Sequence, residues 1–336
     1  MAGDFISNDQ RQTKRFFGVR RVLELLAPFI ALFLIVVLFS VLAPDRFISA
    51  YNFKTVATQT VIVGLGAIGM TFVIVSGGID LSVGSVIALS SVITALILRA
   101  GEPASVAVSG GVLAGGVLGF ANGWIITRLR IVPFIVTLGT MGIARGLAKY
   151  LADEQKVDAP AIGLSAIMAK TPDPDWLLFA PGVWLMLALA LAMGLVLKRT
   201  TLGTYAFAIG SNEATAYLCG IRVERVKLAI YALCGLFAGL SGTLQFCRLT
   251  VGDPTTALGK ELDVIAAVVI GGGSLAGGSG GILGSMVGAF LMSFLSNGCT
   301  LTGVPNYVQE IIIGAIIIIA VAVDSLRHRH QAGPPG

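Results

Sequence analysis

The stretch 25-LLAPFIALFLIVVLFSVLA-43 runs for nineteen residues without a charge. Wound as a helix it is about 28 Å long, which matches the hydrocarbon core of a bilayer. It is too long for the apolar part of a secretory signal, and no small-residue cleavage site follows it. The rest of the chain agrees. Of 336 residues, 55% are hydrophobic and only 12% are charged, and the mean hydropathy is +0.89. A soluble domain needs about 25% charged residues to cover its surface. The solvent for most of this chain is therefore lipid, and the fold class is an all-α, multi-pass membrane protein.

Hydrophobic runs separated by short polar breaks place about ten transmembrane helices, near 22–43, 55–75, 83–99, 104–127, 132–150, 181–197, 228–247, 262–274, 281–298 and 306–324. The third and eighth are short. An even number of spans puts both termini on one side. With the N-terminus inside, fourteen Lys and Arg fall on the inner side and eight on the outer. Both termini are therefore expected to be cytoplasmic. The chain divides into an N-terminal tail (1–21), a membrane domain (22–324) and a C-terminal tail (325–336). The net charge of +5 follows from this topology and from contact with anionic lipid; it does not point to nucleic acid.

No metal or redox site is legible. Cys219, Cys234, Cys247 and Cys299 lie in or beside apolar segments with no CxxC pair, and read as small packing residues. His328 and His330 stand among arginines in the C-terminal tail, as solvated juxtamembrane residues.

Two connections are longer than hairpins. The outer one, 151–180, is acidic (Asp153, Glu154, Asp158, Asp173, Asp175) and broken by prolines. It reads either as a solvated loop with a short surface helix or as a docking surface for an external partner. The inner one is 198-KRTTLGTYAFAIGSNEATAYLCGIRVERVK-227. Ser211 or Asn212 can cap a short helix through Ala214, Ala216, Tyr217 and Leu218, with Glu213 complementing its dipole and Gly220 stopping it. A second helix could follow, exposing Arg222, Glu224, Arg225 and Lys227. A short helix bounded by glycines is suited to a partner's groove.

At this point the residues carry a resemblance. The segment 208-AIGSNEATAYLCGIRVERVKLAIYALCGLFAGLSG-242 is similar to the signature region of permease subunits of bacterial ABC importers for ribose and related monosaccharides. So are 74-IVSGGIDLSVGS-85, 132-VPFIVTLGTMGIARGLA-148 and 262-LDVIAAVVIGGGSLAGGSGGILGSMVGAF-290. The resemblance spans nearly the whole chain beyond its first twenty or so residues. It implies that the inner loop holds the coupling helix for a separate ATP-binding subunit, carried over to Gly210, Asn212, Glu213, Ala214, Ala216, Gly220 and Ile221. The chain departs from the usual pattern at Thr215, Tyr217, Leu218 and Cys219, where Ala, Arg, Leu and Ser are commoner. It further implies a periplasmic sugar-binding protein, a pair of permease chains, and an inner-membrane location. No cofactor would be held by this chain, since ATP and magnesium would sit on the partner. The resemblance leaves the particular sugar open.

Two glycine-rich breaks interrupt the apolar runs, 76-SGGIDLSVGS-85 and 271-GGGSLAGGSGG-281. In lipid, non-helical backbone survives only where protein buries it or a wet cavity solvates it, so such breaks point towards a transport path. The candidate path residues are Gly77, Gly78, Asp80, Ser82, Gly84, Asn122, Gly272, Gly273 and Ser274. Asp80 and Ser82 can cap the helix starting near Val83, and the topology puts this turn at the inner interface, where Asp80 would meet water. The plainer alternative for both breaks is a tight interfacial turn with close glycine packing, the face Gly280, Gly284, Gly288 included. A neutral polyol calls for hydroxyl and amide walls, and the spans supply Thr58, Gln59, Thr60, Ser90, Ser91, Thr94, Asn122, Thr137, Thr140, Gln245 and Asn297.

The only Gly-Lys pair, 259-GKEL-262, lacks the phosphate-binding glycine pattern around it, so an ATPase in the same chain is excluded. A secondary transporter is the rival class. It needs coupling groups in mid-span, for which Arg145 and Glu310 are the candidates.

Overall fold

A computed structural model describes residues 26–161 and 163–331; the proposed N-terminal tail and the last five residues lie outside that range. Among the described residues there are thirteen α-helices. Those that traverse the bundle are α1 (Leu26–Leu42), α3 (Ala50–Val75), α4 (Val83–Arg99), α5 (Ala104–Leu129), α6 (Pro133–Leu151), α7 (Pro181–Arg199), α10 (Val223–Leu249), α12 (Ile282–Leu301) and α13 (Asn306–Gln331). Three short ones, α2 (Pro44–Phe47), α8 (Thr201–Ser211) and α9 (Glu213–Leu218), lie between them, and α11 (Lys260–Ile270) enters only part-way. Five helices are long and apolar enough to cross a membrane: α3, α5, α7, α10 and α12. The ten expected spans each coincide with a helix. The eighth needs correcting in length, because eleven residues of α11 reach only about 16 Å.

Lipid gives no hydrophobic force between helices, so close packing requires small residues. Helix α3 is the hub. Nearly all of its residues from Val56 to Val75 are buried, the glycines included, and at Gly69 a neighbour presses on it at backbone distance. A side chain at Gly69 would begin 2.8 Å from the Cα of Cys234 on α10. The tightest pair is α5 with α10. Gly111, Gly115, Gly119 and Gly123 form a four-residue repeat on α5, and a Cβ at Gly115 or Gly119 would lie 2.6 Å from the Cα of Gly239 or 2.8 Å from that of Gly235. The anticipated glycine face on α12 holds for Gly284 against Gly271 and for Gly288 against Ala267. Gly280 is not on that helix; it is in the break, at φ +144°.

At one end of the bundle the long 151–180 connection folds back. Its strand β1 (Val157–Asp158) pairs antiparallel with β2 (Val251–Gly252), and Lys156 pairs with Asp253 at 3.5 Å. Burial alone would raise the Asp253 carboxyl. Hydrogen bonds from the Thr255 hydroxyl and N–H, together with Lys156, outweigh it and hold the group below the usual carboxylate range. The loop carries two short 3-10 turns, Leu164–Met168 and Asp175–Leu177. The opposite end is capped by α8 and α9.

Helix α8 corrects the expectation for 198–227. The chain does not loop after Arg199; it turns at Thr200 and winds eleven more residues. The expected second helix is likewise no separate element. Its residues are the first turns of α10, with Arg222, Glu224 and Arg225 exposed and Lys227 half-buried against Glu213.

Candidate functional site

Three features carry chemistry: the capped helix α9, the first glycine break, and a polar cavity near the β1–β2 end.

Asn212 is the N-cap of α9, in extended conformation, and its side-chain oxygen accepts from the Thr215 N–H at 2.9 Å. That bond satisfies one of the orphan donors of the first turn. The helix ends in a paired stop. Gly220, at φ +83°, donates its N–H to Tyr217 O, and the Ile221 N–H reaches Ala216 O. A left-handed residue at this position is the reason for glycine. Glu213 receives Lys227 Nζ at 2.7 Å, tying α9 to the base of α10. Ala216 faces inward and is buried; Ala214 is exposed, as are Tyr217 (72%) and Leu218 (83%). Ser211, the other expected cap, is the last residue of α8 and does not cap α9.

Gly210, in the last turn of α8, touches both breaks. The N–H of Gly278 donates to Val75 O at 2.9 Å, joining the second break to the end of α3. A methyl on Gly210 would stand 2.5 Å from that nitrogen and inside the contact distance of Val75 O. The two breaks and the base of the α9 segment therefore meet main chain to main chain.

The first break differs from the expectation. Asp80 is not in interfacial water; it is 2% exposed. Its Oδ1 accepts from the Ser82 N–H at 2.9 Å and from Ser82 Oγ at 2.6 Å. Ser82 precedes α4 but makes no capping bond with its side chain. Its hydroxyl is committed to Asp80 and in turn accepts from Asn122 Nδ2 at 3.1 Å, while Asn122 Oδ1 accepts from Thr140 at 2.6 Å. A line of polar groups thus runs from the break through α5 to α6. The depth follows from packing. Val83 lies 3.5 Å from where a Cβ on Gly66 would be, and Gly66 is nine residues, about 13 Å, back along α3 from its end. The chain re-enters the bundle before α4 begins. Gly78 leaves room for the Tyr231 hydroxyl, and Gly84 lets Ala257 O approach to 2.8 Å of its missing Cβ. Gly77, at φ +78°, makes the turn.

Gly272, Gly273 and Ser274 are elsewhere, in the turn that ends α11. Gly272 is exposed with φ +93°, Gly273 packs over Val268, and Ser274 Oγ donates to Asp324 of α13 at 2.8 Å. They are not brought together with Asp80.

A second segment, 253–259, descends from the β1–β2 end into the bundle. Arg145 of α6 donates to Pro254 O at 2.8 Å and Thr256 O at 2.7 Å. Beside this segment is a cavity of about 200 Å³ between α3, α10, α11 and α12. Gln59, Gln245 and Asn297, three of the amides noted in the sequence, line it. So do Arg248, Lys260 and Asp263, which sequence reasoning left out. Their signal was weak, since Arg248 and Lys260, near helix ends, read as topology markers and Asp263 as a first-turn acid.

Residues 52–321 match the family described as the branched-chain amino acid transport system permease component. The chain belongs to this permease family. Three curated relatives are similar over almost their full length. The ribose import permease protein RbsC of Escherichia coli strain K12 is 39% identical over 302 residues, 88% of this chain and 92% of the relative. That of Bacillus subtilis strain 168 is 39% identical over 311 residues, 90% and 93%. The D-allose transport system permease protein AlsC of Escherichia coli strain K12 is 34% identical over 303 residues, 89% and 90%. No solved structure matches the chain. The permease is a multi-pass membrane protein whose family role is transport.

Proposed function

We propose that this permease is the membrane subunit of an ATP-driven importer of monosaccharides in a bacterial inner membrane. A separate ATP-binding subunit would grip α9 from the cytosol, and two copies of the chain would form the pore-bearing pair. The observation that carries the reading is the junction at Gly210. A surface helix that exposes Tyr217 and Leu218 is built to be covered, and its base rests on the ends of both glycine breaks. Force applied at α9 would reach the membrane-embedded backbone directly. The charge distribution supports a cytosolic α8–α9 end: Lys198, Arg199, Arg222 and Arg225 cluster there. The opposite end, with the paired loop 151–180 and its acidic residues, is where an exported sugar-binding protein would deliver its cargo. A pairing surface is favoured on α6, where Gly139, Gly142 and Gly146 face open space at helical spacing.

The family description names branched-chain amino acids, whereas the relatives are named for sugars. Sugar is the better reading, because the identity to sugar permeases extends over nearly the whole chain. The rival, an ion-coupled transporter, can claim one observation, the buried carboxylate of Asp80. It gains nothing from its other candidates. Arg145 is committed to two main-chain carbonyls, and Glu310 is exposed in the first turns of α13.

Uptake into vesicles separates the two. Import should require ATP and the binding protein and should survive collapse of the proton gradient. Uptake that persists without the ATP-binding subunit would refute the importer.

A further inference from the structure

We propose that the cavity between α3, α10, α11 and α12 is a sugar-binding subsite in which Gln245, Asn297 and Arg248 hydrogen-bond one monosaccharide in transit. The inference rests on the reading of the chain as a sugar importer and adds where, and by which atoms, the sugar is held.

Gln245 and Asn297 are 6% and 7% exposed, yet Gln245 Oε1 and Asn297 Oδ1 have no hydrogen-bond partner, and neither does Arg248 Nε. A buried polar atom left unpaired costs about 1–3 kcal/mol. All three atoms belong to residues that line one cavity, and a small turn of each side chain would let a ligand there supply the missing bonds. The set contains two acceptors and a donor. A sugar hydroxyl is both donor and acceptor, so a polyol can answer all three, and a forked guanidinium suits neighbouring hydroxyls. The Gln245 amide is held in register by its own Nε2, which donates to Thr256 Oγ1 at 2.8 Å. Its free oxygen is therefore held in one orientation on a residue that lines the cavity.

Size and lining narrow the class further. About 200 Å³ is smaller than the roughly 300–1,000 Å³ of sites for drug-sized ligands, and fits a single sugar ring better than a disaccharide. The lining contains no aromatic ring; Ile62, Val63, Ala257 and Met292 supply its apolar part. A stacking platform would make binding tight, and its absence suits a site that must let go. An amino acid is poorly served. The Asp263 carboxylate on the wall is already paired with Lys260 Nζ at 2.5 Å, which weakens its pull on an ammonium.

The position suits entry. Thr300, exposed at the last turn of α12, and Arg248, near the end of α10, stand at the β1–β2 end. The apolar residues Ile62 and Val63 lie deeper along α3.

The test uses the complete transporter in proteoliposomes, with the ATP-binding subunit and the binding protein. Thr300→Cys in a Cys219→Ser, Cys299→Ala background places the one exposed thiol among the described residues at the rim for an impermeant maleimide. D-ribose, D-allose, L-arabinose and D-fructose are screened for ATP-driven uptake, and the sugar taken up is added at millimolar concentration during labelling. Labelling should slow at least threefold with that sugar and not with L-leucine. Gln245→Leu and Asn297→Leu should each abolish the protection and cut uptake tenfold or more, while ATP hydrolysis stimulated by the binding protein persists and reports an intact complex. Unprotected labelling with uptake intact, protection by L-leucine instead, or protection and uptake unchanged in both leucine variants would overturn the subsite and leave the importer standing. No ATP-driven uptake of any of the four sugars would overturn both.

Discussion

Replacing Gly210 by alanine is the sharpest test of how α9 is linked to the membrane. The added methyl would lie 2.5 Å from Gly278 N and within contact distance of Val75 O, and these two atoms are hydrogen-bonded to each other at 2.9 Å. Carbon contacts are ordinarily about 3.5 Å, so the three stretches of backbone must separate by about 1 Å. No flexible side chain is available to yield. Either α8 lifts away, at an overpacking cost of about 1–3 kcal/mol, or the Gly278–Val75 bond opens and leaves buried orphans at a similar cost. Of the spanning helices only the last residue of α3 is touched, so the complex should still assemble, with a thermal midpoint lower by on the order of 2–4 °C per kcal/mol. If this strain falls unequally on the two access states, 1.4 kcal/mol is already tenfold. ATP-driven uptake should therefore drop about tenfold or more, while ATP hydrolysis by the assembled complex continues. Gly314→Ala on α13, which meets nothing within 4 Å, is the matched control. Uptake and thermal midpoint in Gly210→Ala equal to those of the control would refute the junction.

The remaining predictions concern single contacts. Asp80→Asn keeps an oxygen for Ser82 N–H and Oγ and should leave yield and uptake within about twofold, whereas Asp80→Leu orphans both donors, at about 1–3 kcal/mol each, and should fold poorly; equal loss in the two would mean that the charge itself is needed. Asn212→Ala removes the α9 cap, a loss of about 1 kcal/mol, and should weaken co-purification of the ATP-binding subunit without lowering the permease's own thermal midpoint. Gly119→Leu would drive a side chain into Gly235 of α10 and should prevent stable insertion, read as loss of a monodisperse peak in detergent. The Lys156–Asp253 tie should respond to pH in one direction only. Because the folded carboxyl is held below its ordinary value, the contribution is complete above the usual carboxylate range and disappears as pH falls through the folded value. With Lys156 exposed and only Asp253 partly covered, it is worth about 1 kcal/mol, so Asp253→Asn should flatten a shallow acid-side loss of thermal stability.

Much of this molecule was legible because lipid enforces simple rules. Uncharged runs such as 25–43 have one stable solution, and the ten expected segments fell on ten helices. The cap at Asn212 and the stop at Gly220 were readable for the same reason, since orphan backbone groups at helix ends admit few partners. Three features were not. Helix α8 was missed because 201-TLGTYAFAIGS-211 mixes glycine and threonine with apolar residues at no clean period, and its helicity depends on packing. The depth of Asp80 was missed because span counting puts every polar turn at an interface; re-entry of the chain beside Gly66 is a tertiary fact. The repeat Gly111, Gly115, Gly119, Gly123 was in plain view in the sequence but outside the two breaks that drew attention.

The breaks themselves show why glycine marks these places. At Gly84 and Gly78 the missing side chain makes room for a carbonyl and a phenol; at Gly77 and Gly272 it permits a turn; at Gly210 it makes room for the main chain of two other segments at once. Gly210 has an ordinary helical backbone, and its lack of a Cβ serves only to bring α8 onto Val75 and Gly278. A joint made of side chains could absorb a small displacement by changing rotamers, since packed side chains have discrete alternatives. A joint of main chain on main chain has none. Under the proposed reading, movement of α9 must therefore move the end of α3 and the second break together, and that rigidity is what a transporter driven from outside the membrane requires of the place where it is pushed.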